Sequence, residues 1–256
     1  QKNEKVFKSS GTTKTGRSCH YVSDLSIYEE SFVKGFNHFY GDIEDYIVLA
    51  LLPNYLDQGE SSLVYMVDKL IQLSRQKESG YCLDDLESTA VLLEKLQRQN
   101  KKVLLIGVTY ALLDLIELKQ MNFSNQFVIM ETGGMKGRRK ELTKKELHSQ
   151  LKKGFGVNVI HSEYGMTELL SQAYSKGDTM FQTPPWMKVL IRDINDPLAF
   201  QTKNKSGGIN ILDLANLNSC SFIATQDLGR ISSNSFEVLG RFDYSDTRGC
   251  NLLIAD

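Results

Sequence analysis

Two stretches of the chain combine the residue types that phosphate chemistry requires. His161-Ser162-Glu163-Tyr164-Gly165-Met166-Thr167-Glu168 sets a glycine, a hydroxyl and a carboxylate close together, just after the apolar run Val157-Asn158-Val159-Ile160. Far upstream, Ser9-Ser10-Gly11-Thr12-Thr13-Lys14-Thr15-Gly16-Arg17-Ser18 concentrates small hydroxyl donors around two glycines. A loop of this kind wraps oxyanions, and a carboxylate holds a hard cation such as Mg²⁺. The two are halves of a nucleotide site.

The upstream loop has a near match in the phosphate-binding pattern GxxxxGK[ST], with Arg17 in place of the lysine. That pattern works when a buried strand runs into the loop and a helix opens directly after it. Here only Val6-Phe7-Lys8 precedes the loop, and Cys19-His20-Tyr21-Val22 reads as a short strand. The context rejects this pattern, and by itself the loop would read as a solvated Ser/Thr/Gly turn.

The elements that must position these stretches follow from periodicity. Ser23-Asp24 caps a helix with a stripe of Leu25, Tyr28, Phe32, Phe36 and Phe39, and Gly41 stops it. Tyr46-Ile47-Val48-Leu49-Ala50-Leu51-Leu52 is a strand buried on both faces, ended by Pro53. Helices follow at Leu63, Val64, Val67, Leu70 and Ile71, and at Leu86, Ala90, Leu93 and Leu96. Val103-Leu104-Leu105-Ile106-Gly107-Val108 is a second buried strand, with a helix through Ala111, Leu112, Leu115 and Ile116. Gln126-Phe127-Val128-Ile129-Met130-Glu131 is a third strand, running into Thr132-Gly133-Gly134. A basic helical segment from Lys136 to Lys153 then leads to a strand before Glu163.

This alternation predicts an α/β fold: a parallel-sheet core with flanking helices. Ligands in such sheets sit at the carboxyl ends of the strands, where Gly133-Gly134 and the Tyr164 to Glu168 motif both fall. Beyond about Gly177 helical stripes stop. Trp186 to Asp193, Gly208 to Leu214 and Phe236 to Gly240 read as short strands of a C-terminal antiparallel β subdomain. The expected division is residues 1–177 for the nucleotide-binding part and 178–256 for the β-rich part.

Composition narrows the class. With 24% charged residues and a formal net charge of −1, no global field draws in nucleic acid or an anionic membrane. No apolar run approaches the ~20 residues of a membrane span, and the polar start Gln1-Lys2-Asn3-Glu4-Lys5 is no signal peptide. Cys19, Cys82, Cys220 and Cys250 lack CxxC spacing, which suits reduced thiols in a cytoplasmic protein rather than a zinc site or disulfides. The missing initiator Met and the early first motif suggest that an N-terminal piece precedes Gln1.

The ordered set Ser9-Ser10-Gly11-Thr12-Thr13, Gly133-Gly134, Tyr164-Gly165-Met166-Thr167-Glu168, Thr225-Gln226-Asp227 and Gly240-Arg241-Phe242-Asp243 resembles the adenylate-forming superfamily of acyl-CoA synthetases. Each match alone is weak, but five in order span almost the whole chain. The finer wording is similar to the acyl-protein synthetases, the long-chain-fatty-acid–luciferin-component ligases. Phe7 to Thr13, Glu131 to Arg138, His161 to Ser171, Asp213-Leu214-Ala215-Asn216 and Arg248-Gly249-Cys250 carry it.

The resemblance implies a large domain like that of adenylate-forming enzymes, without the full C-terminal lid. It implies that Ser9, Ser10, Gly11, Thr12 and Thr13 clamp the outer phosphates of ATP, with Lys14 or Arg17 supplying charge. Gly133 and Gly134 would lie flat against the adenine and Tyr164 on its other side, with Gly165 in the same motif. Thr167 would meet the α-phosphate, Glu168 would hold Mg²⁺, and Asp227 would accept the ribose hydroxyls with support from Arg241. Cys250 would take the acyl group as a thioester, its thiolate favoured by Arg248. The implied partners are a fatty carboxylic acid and an acyl reductase or acyltransferase protein.

Alternatives stay open at this point. A ligase handing the acyl group to CoA, a carrier protein or a sugar fits the motifs. So does a non-catalytic nucleotide-binding relative. His161 suits either a pocket residue or a satisfied strand-end histidine, Cys250 either a nucleophile or a small buried cysteine, and Cys19, Cys82 and Cys220 structural positions.

Overall fold

The computed structural model describes residues 4–9, 17–52, 59–134, 139 and 142–242. Its sheet is built outward from three apolar runs that have no polar face and must be covered on both sides. β3 (Ile47–Leu51) and β5 (Val103–Val108) are buried at every residue, and β6 (Phe127–Thr132) at all but one. They lie side by side and parallel, Leu49 opposite Leu105 and Leu105 opposite Ile129. β7 (His161–Tyr164) continues the parallel run, Glu131 opposite Ser162, and the two-residue β4 (Gly80–Tyr81) closes the far edge.

Beyond β7 the direction alternates. β8 (Ala173–Ser175) and β9 (Met180–Gln182) run antiparallel, followed by β13 (Ser235–Arg241), β12 (Phe222–Ser232), β11 (Gly207–Asp213) and β10 (Met187–Arg192). The result is one 11-stranded sheet, parallel in its first part and antiparallel in its C-terminal part. A separate antiparallel hairpin, β1 (Lys5–Lys8) and β2 (Cys19–Val22), flanks residues 10–16. Two strands rather than a strand and a helix bracket that loop.

Helices cover the parallel part. α1 (Leu25–Tyr40) is capped by Asp24, whose carboxylate accepts from the Ser26 amide at 2.9 Å, and it ends at Gly41 with φ 85°. Its buried stripe is Tyr28, Phe32, Phe36 and Phe39, with Leu25 half-buried. α2 (Ser62–Ser74) packs on α1, while α3 (Leu86–Arg98), α4 (Thr109–Leu118) and α5 (Lys144–Phe155) pack in sequence. A second cluster, with Leu169, Phe181, Met187, Ile209, Ile211 and Phe236, forms the apolar interior of the antiparallel strands.

Three details depart from the expectations. α5 begins at Lys144 rather than near Lys136, because Thr143 and Glu146 form a reciprocal capping box there. Residues 157–160 are not a strand. After the left-handed Gly156 they carry the chain from α5 to the sheet, and the strand is the polar segment His161–Tyr164 itself. Finally, β12 is an 11-residue strand that no apolar alternation announces, since only Thr225 and Gly229 within it are fully buried.

α4 and α5 meet without space between them: a Cβ on Gly154 would lie 2.5 Å from the Ile116 Cβ. A helical glycine replaced by alanine ordinarily gains about 1 kcal/mol. At this seam the clash outweighs that gain. Gly154→Ala is expected to lose about 1–3 kcal/mol in urea unfolding, whereas a stabilised variant would show that α5 sits farther from α4.

Candidate active site

The carboxyl ends of β3, β6 and β7 open on one side of the sheet, and a cleft of about 350 Å³ lies there. Lys8 and Arg17 enter it from the hairpin β1–β2. Ser61, Ser62, Leu63 and Met66 enter from the first turns of α2, which Ser61 caps by accepting from the Val64 amide at 3.3 Å. Thr132 and Gly133 contribute from the end of β6, and Glu163, Gly165, Met166 and Thr167 from the end of β7. At the mouth the Glu60 carboxylate meets Lys8 Nζ at 2.5 Å and an Arg17 guanidinium nitrogen at 2.8 Å. Arg17 Nε also donates to the Ser9 carbonyl at 2.7 Å, and the Ser9 hydroxyl accepts from the Ser18 amide at 2.9 Å. The neck of the hydroxyl loop is thereby closed.

The Thr167 to Ser171 segment is braced from both ends of the chain. The buried Asp213 carboxylate accepts from the amides of Leu170 at 2.8 Å and Ser171 at 3.0 Å, and from the Ser171 hydroxyl at 2.5 Å. Asn216 donates its amide to the Glu168 carbonyl at 2.6 Å. From β2, His20 Nδ1 lies 2.8 Å from the Thr167 carbonyl and Nε2 3.1 Å from the Ser219 hydroxyl. Sequence reasoning noted Asp213 and Asn216 only as matching letters and missed His20. A histidine in a four-residue strand carries no signal that its target lies 147 positions away.

Beneath the cleft two buried glutamates sit in opposite electrostatic states. Burial alone would raise the Glu131 carboxyl, but the Lys144 charge and hydrogen bonds from His148, Lys144 and Ser162 outweigh it and hold it at about 2. Lys144 and His148 both come from α5, one turn apart, and Ser162 Oγ lies 3.2 Å from His148 Nε2. Glu163 forms no ion pair among the described residues, and Lys144 acts on it only as a weaker, more distant charge. Burial pushes its carboxyl up to about 7, against the bond donated by Thr132 Oγ1 at 2.5 Å. A Cβ on Gly165 would stand 2.4 Å from Glu163 Oε1, so a side chain there would displace that carboxylate.

A second group forms at the edge of the antiparallel strands. The Tyr164 hydroxyl donates to Asp227 Oδ2 at 2.7 Å, Arg241 Nε lies 3.6 Å from Asp227 Oδ1, and Arg241 also donates to Gln226 at 3.1 Å. Burial, reinforced by the neighbouring Asp227 charge, keeps the Tyr164 hydroxyl protonated. Its ring packs against Phe181 and Phe236.

The expected residues therefore fall into distinct places. Arg17, Gly133, Gly165 and Thr167 line the cleft, and Tyr164, Asp227 and Arg241 form the adjacent group. Glu168 is half-buried beside Thr167 without lining the cleft, and among the described residues no side chain pairs with its carboxylate. Gly133 and Gly134 have φ values of 70° and 65°, and a Cβ on Gly134 would meet nothing within 4 Å. Ser10, Gly11, Thr12, Thr13, Lys14 and Cys250 lie outside the described residues. His161 sits at the start of β7, away from the cleft. Its Nδ1 lies 3.2 Å from the Tyr40 hydroxyl, and burial together with the Lys176 charge holds its ring at about 4. Cys19 and Cys220 are exposed rather than part of the core, and Cys82 is half-buried. Among the described residues no three His, Cys, Asp or Glu side chains converge as a metal-binding group, and no helix is long and apolar enough to cross a membrane.

Residues 61–256 match the family described as acyl-protein synthetase, LuxE. The chain belongs to the LuxE acyl-protein synthetase family. No curated protein matches it significantly. Among solved structures, ATP-bound MatB from Rhodopseudomonas palustris superposes with a TM-score of 0.67 at 16% identity, over 92% of this chain and 47% of that one. The McyG A-PCP structure complexed with phenylalanyl-adenylate gives 0.67 at 15% identity, over 94% and 47%. O-succinylbenzoate coenzyme A synthetase (MenE) from Bacillus subtilis, with ATP and magnesium, gives 0.61 at 18% identity, over 92% and 49%. The chain spans about half the length of these structures. It shares their fold.

The two glutamates give this LuxE-family chain a pH signature. Glu163 binds its proton more tightly folded than unfolded, so its contribution is full below the ordinary carboxylate range and is lost as pH rises through about 7. Glu131 acts in the opposite sense, losing its contribution as pH falls toward about 2. Glu163→Gln is expected to reduce the drop in stability between pH 5 and pH 8, by on the order of 3 kcal/mol. Parallel urea curves for parent and variant at the two pH values would contradict it.

Proposed function

We propose that the protein activates a fatty carboxylic acid with ATP, forming acyl-AMP and pyrophosphate, and then carries the acyl group on the Cys250 thiol. The observation that supports the reading is that Gly133, Gly165 and Thr167 line one cleft at the carboxyl ends of β6 and β7, and that Tyr164, between Glu163 and Gly165 of that lining, donates its hydroxyl to Asp227. Membership of a family described as acyl-protein synthetase supports the reading, as do the ATP, magnesium and adenylate bound in structures of the same fold.

The residues present fit a magnesium-bound nucleotide. Among the described residues a Cβ on Gly134 would meet nothing within 4 Å, which suits a flat base, and Tyr164 would be its other wall. Asp227, already a hydrogen-bond acceptor, suits ribose hydroxyls, and Arg241 steadies it. The hydroxyl loop that starts at Ser9 is the clamp for the outer phosphates, with Lys14 or Arg17 adding charge, and Thr167 is the contact for the α-phosphate. Glu168, unpaired among the described residues, would hold Mg²⁺, which when bound would neutralise charge on the phosphate oxygens.

In the first step a carboxylate oxygen attacks the α-phosphorus, the bond to the β-phosphate oxygen breaks, and pyrophosphate leaves. Negative charge builds between two anions, so fixed donors matter more than a strong base. In the second step the Cys250 thiolate attacks the acyl carbon, the carbon–oxygen bond to AMP breaks, and AMP leaves with the electron pair.

Labelled fatty acid with Mg-ATP is expected to give a hydroxylamine-sensitive label on the protein, lost in Cys250→Ser. Label that survives this substitution assigns the acyl group to another acceptor. Glu168→Gln is expected to slow carboxylate-dependent ATP–pyrophosphate exchange by roughly 100-fold or more while leaving the unfolding midpoint unchanged. Exchange near the parent rate would remove Glu168 from the metal site.

A further inference from the structure

The strand that carries Asp227 is out of step with both of its neighbours. On one side Gly208 faces Leu228 and Asn210 faces Ala224, so β11 has only Ile209 where β12 has Thr225, Gln226 and Asp227. On the other side Leu228 faces Gly240 while Gly229 faces Val238, which leaves Leu239 of β13 unmatched. Such bulges re-aim a side chain and take ladder bonds away from the backbone around them. The side chain delivered here is Asp227, whose carboxylate accepts from the Tyr164 hydroxyl at 2.7 Å.

A side chain from two strands away fills the gap. Arg192, at the end of β10, donates to the Ile209 carbonyl at 2.9 Å, to Asn210 Oδ1 at 2.7 Å and to the Thr225 carbonyl at 2.6 Å. The Thr225 hydroxyl also donates to the Ile209 carbonyl at 2.9 Å and accepts from the Asp227 amide at 3.1 Å. The Phe242 ring centre lies 5.3 Å from the guanidinium carbon, and the Phe242 amide donates to the Gln226 carbonyl at 2.8 Å. Gly208, opposite Arg192 in the ladder, makes the room: a Cβ there would lie 2.4 Å from the guanidinium carbon. A planar fork of donors serves two carbonyls and a side-chain oxygen at once, which the point charge of a lysine does not.

We infer that Arg192 is the positioning residue for Asp227: it locks the bulge in β12 and thereby fixes the carboxylate that takes the ribose hydroxyls. This rests on the proposed nucleotide site and adds to it a residue that none of the sequence motifs contains. With the bulge unlocked, Asp227 has to be ordered at the moment of binding, and the ribose contact loses its advantage.

The test is equilibrium binding of Mg-ATP, Mg-2′-deoxy-ATP and inorganic triphosphate to the full chain by titration calorimetry. A hydroxyl bonded to a charged acceptor gives the parent a preference for ATP over the deoxynucleotide of roughly tenfold or more. In Arg192→Met that ratio is expected to fall toward one, while inorganic triphosphate, which has no ribose, binds as it does to the parent. Gly208→Ala is expected to lower the ratio without removing a polar group, because the added methyl displaces the flexible guanidinium. It decides the matter alone if Arg192→Met does not fold. A parental ratio in these variants, with the preference lost in Asp227→Ala, would overturn the inference and leave the nucleotide site standing. Triphosphate binding weakened by the same factor as ATP binding would overturn it too, as the sign of a general loss of structure. A preference for ATP that is absent from the parent, or kept in Asp227→Ala, would overturn the ribose contact and this inference with it. No binding of either nucleotide would overturn the proposed function as well.

Discussion

One buried carboxylate holds together the place where parallel strands give way to antiparallel ones. Asp213, at the end of β11, accepts from two successive amides and a hydroxyl in the segment after β7, and from the Ala215 amide on its own side. An exposed loop of Gly, Met, Thr and Glu would otherwise sample many conformations, at a backbone entropy of about 1–2 kcal/mol per residue fixed. Three hydrogen bonds from that loop to one buried carboxylate give it a single geometry. The placement of Thr167 and Glu168 relative to the cleft follows from this anchor more than from the loop's own residues.

The parallel core was legible because its causes are local. Runs such as Val48-Leu49-Ala50-Leu51 and Leu104-Leu105-Ile106 admit no exposed face, and α1 announces its ends through Asp24 and Gly41. β7 was harder. Its side chains His161, Ser162 and Glu163 are polar, and they sit in a central strand only because His148, Thr132 and Tyr40 satisfy them from other elements. β12 escaped for a related reason, since most of its length is half-exposed and its order comes from neighbours on both sides.

The site was readable as a set of motifs but not as a geometry. Tyr164, Asp227 and Arg241 come from three separate motifs, and their mutual distances follow from β12 pairing with β13 beside β9. The contrast between Glu131 and Glu163 is a property of the packed structure alone, since identical side chains on adjacent strands diverge according to which of them Lys144 pairs with directly.

His20 has a consequence for how the protein comes to be active. Its ring joins a strand near the start of the chain to the Thr167 carbonyl and to Ser219, contacts separated by 147 and 199 positions. Such links close very long loops, and structures dominated by distant pairings order slowly. The parallel core, assembled from neighbouring units, has no need to wait for them. The brace on Thr167 is therefore complete only once residue 219 has been made and β2 has reached it.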